Sequence, residues 1–464
     1  MKKDFHINPG VALLILSAFQ PCTKGSKEMN KCTRAVEKLR FLTPDQVRSI
    51  REQFGTPVFV YDELSLERQA KYMLNFPNAF GLTVYYSVKG GASGAVIKLF
   101  DRLGLHFDAS SIYEAMRAMA VGVAPAKILL TAQEVPQDFA TYVERGMEFN
   151  ACSLRQLEMY GEQFPGREVS IRVNPGRGTG FINRLTSGGP KASFGIWVEY
   201  LDDIRALVKK YRLKVKRIHH HIGSGHDPEA WLRIAADTIN IAKTFGPVPI
   251  INLGGGYRVK ALQTEHEVDY RDIGERLRRL FEDYARETGT KARLEIEPGT
   301  FLVANCGSLV TSVVDVISTG NDGFDFIKLD AGLTEVIRPG FYGSLHPLVS
   351  IPAKGELRTK AKEYLVTGHT CIAGDTLTVA VRDPETSVPQ LIAETEIGDL
   401  LVVERAGGYC SSMNMKNFNS FPEAPEVLLR KDGSFDVIRK RQTLEQMTQN
   451  EVLPRDLMAV ATTA

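Results

Sequence analysis

Residues 84–91, which read VYYSVKGG, decide how the rest of this chain is interpreted. The apolar, aromatic and β-branched run predicts a short buried strand that ends at Lys89. A lysine at the end of a buried strand is costly unless it is paired, deprotonated or covalently used. The two glycines that follow it let backbone or a flat ligand come close. The pattern suits a lysine that forms a Schiff base with an aldehyde cofactor, and the alternative is a lysine that turns outward into solvent.

Strands and helices alternate along the chain from this stretch to the end of the first three hundred residues. Amphipathic helical stretches, such as residues 154–163 and 270–288, separate the apolar runs. Eight such strands joined by helices predict an α/β fold of the (β/α)8 TIM barrel type, with a parallel sheet. The predicted strands end near Lys89, Asp108, Thr131, Asn150, Asn174, His221, Gly254 and Glu297.

The pattern changes after about residue 305, where short strands follow one another through Gly, Asp and Pro turns without helices between them. We therefore expect a barrel over residues 66–305 and a C-terminal all-β domain with a terminal helix over residues 306–464. Residues 36–65 carry a further strand that could join the β domain, and residues 1–35 form an N-terminal extension. The predicted strands of the β domain are 308–318, 324–329, 363–367, 376–381 and 400–404.

Composition narrows the class of protein. The 464 residues are enough for two or three domains, and the net charge of +2 gives no reason to expect nucleic-acid or membrane binding. The apolar residues 11–16 loosely imitate a signal peptide, but the run is short and no small-residue cleavage site follows it. The cysteines show no zinc spacing, which fits free thiols in a reducing, cytoplasmic compartment. They are Cys22, Cys32, Cys152, Cys306, Cys371 and Cys410.

Unusual polar residues close the predicted barrel strands. In barrels of this kind the active site lies at the C-terminal ends of the strands, so these residues are expected to meet around one site. The residues are Lys89, Asp108, Arg172, Asn174, His221, Gly254, Gly255, Gly256 and Glu297.

Three consecutive histidines, residues 219–221, could be mistaken for a metal site. Successive strand residues face opposite sides, so only His219 and His221 can point inward together. No carboxylate or cysteine is spaced to complete a ligand set, so no metal is expected. The other interpretation is that one imidazole packs on a flat aromatic ring while Ser224 and nearby backbone N–H groups bind an anion.

Two further motifs fit the same cofactor. Residues 254–256 are a glycine triplet after a strand, which can present backbone N–H groups to a phosphate; the alternative is a flexible loop. Glu297 ends a strand before a rigid Pro-Gly turn, and a buried carboxylate there needs a cationic partner such as a protonated pyridine nitrogen. A lysine, a stacking histidine, a phosphate cradle and a carboxylate together indicate a pyridoxal 5′-phosphate site.

From about residue 40 to its C-terminus the chain resembles the alanine-racemase-fold, or fold-type III, decarboxylases of diaminopimelate, ornithine and arginine. The resemblance is closest to the diaminopimelate branch. It rests on motifs in family order: residues 86–89 (YSVK), 221–225 (HIGSG), 254–256 (GGG), 297–299 (EPG), 330–332 (DAG), 338–343 (RPGFYG), 368–375 (GHTCIAGD) and 407–409 (GGY).

The resemblance implies a pyridoxal phosphate decarboxylase and gives roles to these residues. Lys89 carries the cofactor, the His221 ring stacks on it, and Glu297 meets its ring nitrogen. Cys371 is expected to return a proton to the reacting carbon from across a homodimer interface, so that Lys89, His221 and Cys371 are the catalytic residues. The other expected cofactor-binding residues are Asp108, Arg172, Ser224, Gly254, Gly255, Gly256 and Tyr409. The expected substrate-binding residues are Thr300, Arg338, Tyr342, Cys371, Ile372 and Asp375.

Two residues depart from the diaminopimelate pattern. Thr300 stands where that branch has an Arg for the distal carboxylate of the substrate, and Ile372 stands where it has a Glu for the distal amino group. Losing both contacts should weaken recognition of that end by several kcal/mol, at roughly 1.5–3 kcal/mol for each charge-assisted hydrogen bond. The departures predict D-lysine or D-ornithine as substrate, giving cadaverine or putrescine, with meso-diaminopimelate as the alternative.

Other classes of protein on a similar barrel are less consistent with the motifs. Amino-acid racemases of this fold pair the ring nitrogen with Arg and lack the cysteine segment. Non-catalytic cofactor-binding homologues are single barrels without the β-rich tail that follows residue 304. A metal-dependent hydrolase would need ligand spacings that the sequence lacks.

Overall fold

The structure is a computed structural model that describes residues 35–180, 182–221, 223–224 and 228–457. The predicted extension over residues 1–35 lies outside the described residues, apart from residue 35. The chain enters through helix α1 (Pro44–Phe54), strand β1 (Val58–Asp62) and helix α2 (Glu63–Leu74). Helix α1 begins at a capping box in which Thr43 and Gln46 each bond the backbone of the other, with Pro44 in the first turn.

Eight parallel strands then close into a barrel. Each strand pairs in parallel with its neighbours in the order β2-β3-β4-β5-β6-β8-β9-β10, and β10 returns to β2. The short strand β7 pairs with the end of β6. The strands are β2 (Leu82–Ser87), β3 (His106–Ala109), β4 (Ile128–Leu130), β5 (Glu148–Ala151), β6 (Glu168–Asn174), β7 (Ile196–Trp197), β8 (Lys214–His219), β9 (Ile250–Asn252) and β10 (Arg293–Ile296). The predicted (β/α)8 barrel is confirmed.

Helices cover the outside of the barrel because each has one apolar face. The longest of them begins at an Asp269 cap and ends at Gly289, whose left-handed backbone stops the helix. Its buried residues recur every three or four positions: Tyr270, Ile273, Gly274, Leu277, Phe281 and Tyr284. The helices that follow barrel strands are α3 (Gly94–Arg102), α4 (Ile112–Ala120), α5 (Phe139–Glu144), α6 (Leu154–Gln163), α7 (Leu201–Lys210), α8 (Pro228–Lys243) and α9 (Tyr270–Thr288).

A second sheet follows the barrel. Its strands are β11 (Gly307–Ser318), β12 (Asp325–Leu329), β13 (Leu348–Ile351), β14 (Ala361–Thr367), β17 (Gln390–Ala393), β18 (Leu400–Val403), β19 (Glu426–Leu429) and β20 (Phe435–Arg439). Strand β1 lies between β11, to which it is antiparallel, and β19, to which it is parallel. Strands β15 (Val379–Ala380) and β16 (Asp383–Ser387) form a separate hairpin, and the helices here are α10 (Thr300–Val303), α11 (Arg338–Tyr342) and α12 (Leu444–Thr448). The predicted all-β region is confirmed.

Several details of the second sheet differ from the prediction. The predicted strand at 376–381 shortens to β15, because residues 376–378 bond across the loop to the end of β14 instead of extending a ladder. Strands β13, β19 and β20 follow Pro- and Gly-rich segments and have no strong alternation, so the sequence pattern does not predict them.

Candidate active site

Lys89 lies in a helical turn that directly follows β2. Its Nζ donates to Asp108 Oδ2 at 2.9 Å and to Ser110 Oγ at 3.2 Å. Asp108 ends β3 and is buried, whereas Lys89 keeps 40% side-chain exposure because it lines an open cavity. Burial lowers the pKa of Lys89, but the charge and hydrogen bond of Asp108, together with Tyr409 and Glu297, raise it more, so the net pKa lies above its ordinary value. Lys89 is therefore a paired cation inside a cavity and does not turn outward into bulk solvent.

Glu297 stands one residue beyond β10, at the same end of the barrel. Asn252 Nδ2 donates to its Oε1 at 2.8 Å, and His219 Nε2 lies 3.2 Å from its Oε2. Burial raises the pKa of Glu297 and holds the pKa of His219 well below its usual range, so His219 is neutral. Because Asn150 Nδ2 donates to His219 Nδ1 at 2.8 Å, the His219 proton is on Nε2 and is donated to Glu297. Glu297 is thus a fixed, buried acceptor.

The glycine triplet at 254–256 packs against His221. Gly255 N donates to His221 Nδ1 at 3.0 Å, and Glu297 N donates to Gly254 O at 2.8 Å. Gly254 and Gly256 have φ values of +64° and +104°, and a Cβ at Gly254 would lie 2.5 Å from His220 O. A cradle of bare backbone, closed to side chains, suits a phosphate group, and a neutral imidazole beside it suits a flat ring.

The three histidines diverge. His219 contacts Glu297 and Asn150, His220 contacts Thr238, and His221 contacts Gly255. Over the described ranges of the chain, no group of three or more His, Cys, Asp or Glu side chains gathers as metal ligands would.

The remaining cofactor candidates surround the same cavity of about 1140 Å³. Arg172 Nη2 donates to His221 O at 3.4 Å, and Ser224 lines the cavity close to the barrel end. Ile222 and Gly225 of this motif lie outside the described residues. Tyr409 comes from the second sheet, and its N–H donates to Gly90 O at 2.8 Å. This bond holds the aromatic ring beside the turn that carries Lys89.

Guanidinium groups gather at another part of the cavity wall. Arg338 is buried at the start of α11 and donates from Nη1 to Gly408 O at 3.4 Å. Thr300 and Tyr342 line the same cavity. Arg405 also lines it, which the sequence pattern did not indicate, because it follows β18 in a segment without periodicity.

The segment that carries Cys371 and Ile372 is elsewhere. Both side chains are exposed and neither lines the cavity. Asp375 is buried below them, where its oxygens accept bonds from Leu333 N at 2.9 Å and from Thr370 N at 2.8 Å. Within one chain, therefore, these three predicted substrate-binding residues do not meet Lys89.

Fold and site together define a class: a barrel enzyme that can hold a phosphorylated, ring-shaped aldehyde at a lysine. Residues 65–304 match the family model described as pyridoxal-dependent decarboxylase, pyridoxal binding domain. The chain belongs to this family of pyridoxal phosphate-dependent decarboxylases, and its cofactor is pyridoxal 5′-phosphate.

Individual relatives agree with the family match. The diaminopimelate decarboxylase of Escherichia coli is 33% identical over 420 residues, which cover 89% of this chain and 97% of that one. That of Streptomyces coelicolor is 32% identical over 87% of this chain and 90% of its own length. A crystal structure of a diaminopimelate decarboxylase is 32% identical and superposes with a TM-score of 0.82, covering 88% of this chain and 96% of that chain.

None of the described helices is both long enough and apolar enough to cross a lipid bilayer.

Proposed function

We propose that this enzyme decarboxylates meso-diaminopimelate at its D-configured carbon and releases L-lysine. Near full-length similarity to diaminopimelate decarboxylases is the observation that carries the proposal. The charge of the cavity supports it, because the guanidinium of Arg338 suits a second carboxylate on the substrate. D-lysine and D-ornithine would instead place an ammonium group near that cation.

D-lysine and D-ornithine stay as the second candidate substrates because of Thr300 and Ile372. A threonine hydroxyl cannot replace a bidentate guanidinium, and an isoleucine cannot bind an ammonium group. These two side chains favour a substrate without an amino-carboxylate at its far end.

The residues of the barrel end fit pyridoxal phosphate, with Lys89 as its attachment point. We assign its phosphate to Gly254, Gly255, Gly256 and Ser224, its ring face to His221, and its ring nitrogen to Glu297. When bound, the cofactor accepts the electron pair that the departing carboxylate leaves behind. Asn252 and His219 hold the Glu297 carboxylate so that it can keep a proton on the ring nitrogen. Asp108 orients Lys89, with Ser87 Oγ donating to the same Asp108 oxygen at 3.2 Å.

Cys371 is proposed to supply the proton that replaces the lost carboxylate, from its Sγ to the substrate carbon. Because Cys371 and Ile372 are exposed and away from the cavity of their own chain, this role requires a second copy of the chain. We therefore propose a homodimer in which each subunit lends residues 371–372 to the cavity of the other.

A cytoplasmic location is proposed from the thiols. Within the described residues, Cys152, Cys306, Cys371 and Cys410 are free of disulfide bonds. Free thiols are typical of a reducing compartment.

The test compares kcat/KM of the purified holoenzyme for meso-diaminopimelate, D-lysine, D-ornithine, L-lysine and L-ornithine, with CO2 release as the readout. We expect meso-diaminopimelate to be preferred by about tenfold or more, which is about 1.4 kcal/mol of transition-state discrimination. Lys89→Ala is the inactive control and should also lose the visible absorption of the bound cofactor. Preference for D-lysine or D-ornithine would replace the proposal with the second candidate.

A further inference from the structure

We propose that Arg405 is a specificity-determining residue that forms, together with Arg338, a two-guanidinium site for a substrate carboxylate remote from the reacting carbon. The inference deepens the proposed function and rests on it, since meso-diaminopimelate is a substrate with such a carboxylate. It places the distal contact just beyond β18 of the second sheet, whereas Thr300 begins α10, which follows the last barrel strand.

Both guanidinium groups line the cavity that contains Lys89. Arg405 Nη1 donates to Leu345 O at 3.2 Å, and Arg338 Nη1 donates to Gly408 O at 3.4 Å. These acceptors are neutral backbone carbonyls. Neither Arg405 nor Arg338 forms an ion pair with any carboxylate in the described part of the chain. Two cations that repel each other therefore line the cavity wall without an ion-pair partner among the described residues.

Two carboxylates could neutralise Arg405, one adjacent to it in sequence and one in the cavity wall, but both accept hydrogen bonds from other donors. Glu404 is buried and accepts from Ser308 Oγ at 2.6 Å and from Arg40 N at 3.1 Å. Glu265 also lines the cavity and its charge raises the pKa of Arg405, but its Oε2 accepts from Ala261 N at 2.9 Å and from Arg258 Nη2 at 3.3 Å. The carboxylates of the protein thus do not fully neutralise the two guanidinium groups, and a bound anion would supply the missing negative charge.

Arg405 sits at this position at a cost in free energy. Its φ of 64° is a left-handed backbone conformation that residues other than glycine rarely adopt. Its Nε is buried without a hydrogen-bond acceptor in the described structure. Burial and the neighbouring charge of Arg338 lower the pKa of Arg405 to about 9. A carboxylate that bridges the two guanidinium groups would offset both the desolvation and the repulsion.

Thr300 leaves space in the same cavity. It lines the cavity with a short side chain where the diaminopimelate branch has a long cation. A guanidinium that reaches the cavity from residue 405 can then take the distal carboxylate without a further guanidinium at position 300. On this proposal the carboxylate contact that Thr300 cannot make is supplied by Arg405.

The test uses binding, so that it does not depend on turnover. L-lysine carries a carboxylate and cadaverine is the same molecule without it, so the ratio of their Kd values on the holoenzyme, measured by calorimetry, reports carboxylate recognition. For Arg405→Gln we expect the Kd of L-lysine to rise by about tenfold to a hundredfold and that of cadaverine to change by less than about threefold. Arg405→Lys should recover part of the lost affinity for L-lysine, because it restores the positive charge without the paired N–H donors of a guanidinium. Arg205→Gln, the same change at an exposed helix position, should alter neither value.

Three results would overturn the inference: an unchanged Kd for L-lysine in Arg405→Gln, an equal loss for both ligands, or a wild-type enzyme that does not favour L-lysine over cadaverine. Cofactor absorption of each variant shows that the barrel is intact. The proposed function has a different test: it is wrong if the wild-type enzyme does not turn over meso-diaminopimelate. In that case the ratio of the two Kd values still decides the role of Arg405.

Discussion

Glu335 is a buried carboxyl group whose protonation changes near neutral pH. It lies in the loop before α11, where Thr334 Oγ1 donates to its Oε2 at 2.7 Å and Gly332 N donates to the same oxygen at 3.0 Å. Burial raises the pKa of Glu335 from its ordinary 4.5 to about 7, more than these two hydrogen bonds lower it. His369 lies 3.7 Å away and shares the Thr334 hydroxyl.

Replacing Glu335 by Gln should flatten the pH dependence of unfolding. A carboxyl group with a raised pKa binds its proton more tightly in the folded state, so its stabilisation is complete below 4.5 and is lost as the pH rises through about 7. At about 1.4 kcal/mol per pKa unit, Glu335 should account for a loss of about 3 kcal/mol of unfolding free energy over this interval, and Glu335→Gln should lack that part of the loss. Urea unfolding at a series of pH values measures this loss. Glu363→Gln, at an exposed strand position, is the control and should keep the wild-type slope.

The sequence predicts which polar residues lie in one site, but not which hydrogen bonds orient each of them. Lys89, Asp108 and Glu297 could be placed in one cavity because all parallel strands of a barrel end on the same face. The bond from His219 to Glu297 depends on the registers of β8 against β9 and of β9 against β10, which the pattern of one chain does not specify. Arg405 could not be predicted, because it lies between the predicted strand 400–404 and the motif 407–409 and belongs to neither.

At the scale of elements, the loop after β9 is so closely packed that it has no room for a side chain at Gly254. Gly254→Ala should impair cofactor binding, since its Cβ would meet His220 O and the His221 ring. We expect the affinity for pyridoxal phosphate to fall by about tenfold or more, measured by titrating the apoenzyme and following visible absorption.

Gly289→Ala is the control for Gly254→Ala, because it introduces the backbone strain of a positive φ without a steric contact of the added Cβ. Gly289 has a φ of +73° but no atom within 4 Å of an added Cβ. Its substitution should cost about 1 kcal/mol of stability and leave cofactor affinity unchanged. Equal cofactor affinity in both variants would show that the Gly254 contact does not shape the site.

The two halves of the fold differ in how far their elements can be predicted. Barrel strands such as β4 are buried on both faces, so they read as continuous apolar runs between helices. Strands such as β19 also pair with a partner that is distant in sequence, since Val427 of β19 lies beside Val60 of β1. Their boundaries therefore depend on contacts that a local pattern does not contain.

At the scale of the whole molecule, mixing two inactive variants should restore activity. In a dimer with shared sites, a heterodimer of Lys89→Ala and Cys371→Ala has one site with both lesions and one with neither. Free exchange of equal amounts gives half heterodimers, so about a quarter of wild-type activity is expected. CO2 release after subunit exchange, with exchange confirmed by differently tagged chains, is the measurement.

Lys89→Ala mixed with Glu297→Ala is the matched control for this experiment. Both lesions lie in the barrel, so every site of that heterodimer is damaged and no activity should return. Continued inactivity of the first mixture, once exchange is demonstrated, would exclude the shared-site dimer.

The position of β1 between β11 and β19 has a consequence for biosynthesis. During translation, β1 leaves the ribosome before the whole barrel. Its partner strand β19, in which Glu426 pairs with Phe59, is synthesised only near the end of the chain. A nascent or prematurely terminated chain that lacks β19 therefore displays an open edge of an otherwise buried strand, and such an edge is a template for aggregation. Frameshifts near the 3′ end of the gene should consequently yield protein that chaperones and proteases remove, even though every barrel residue has been translated.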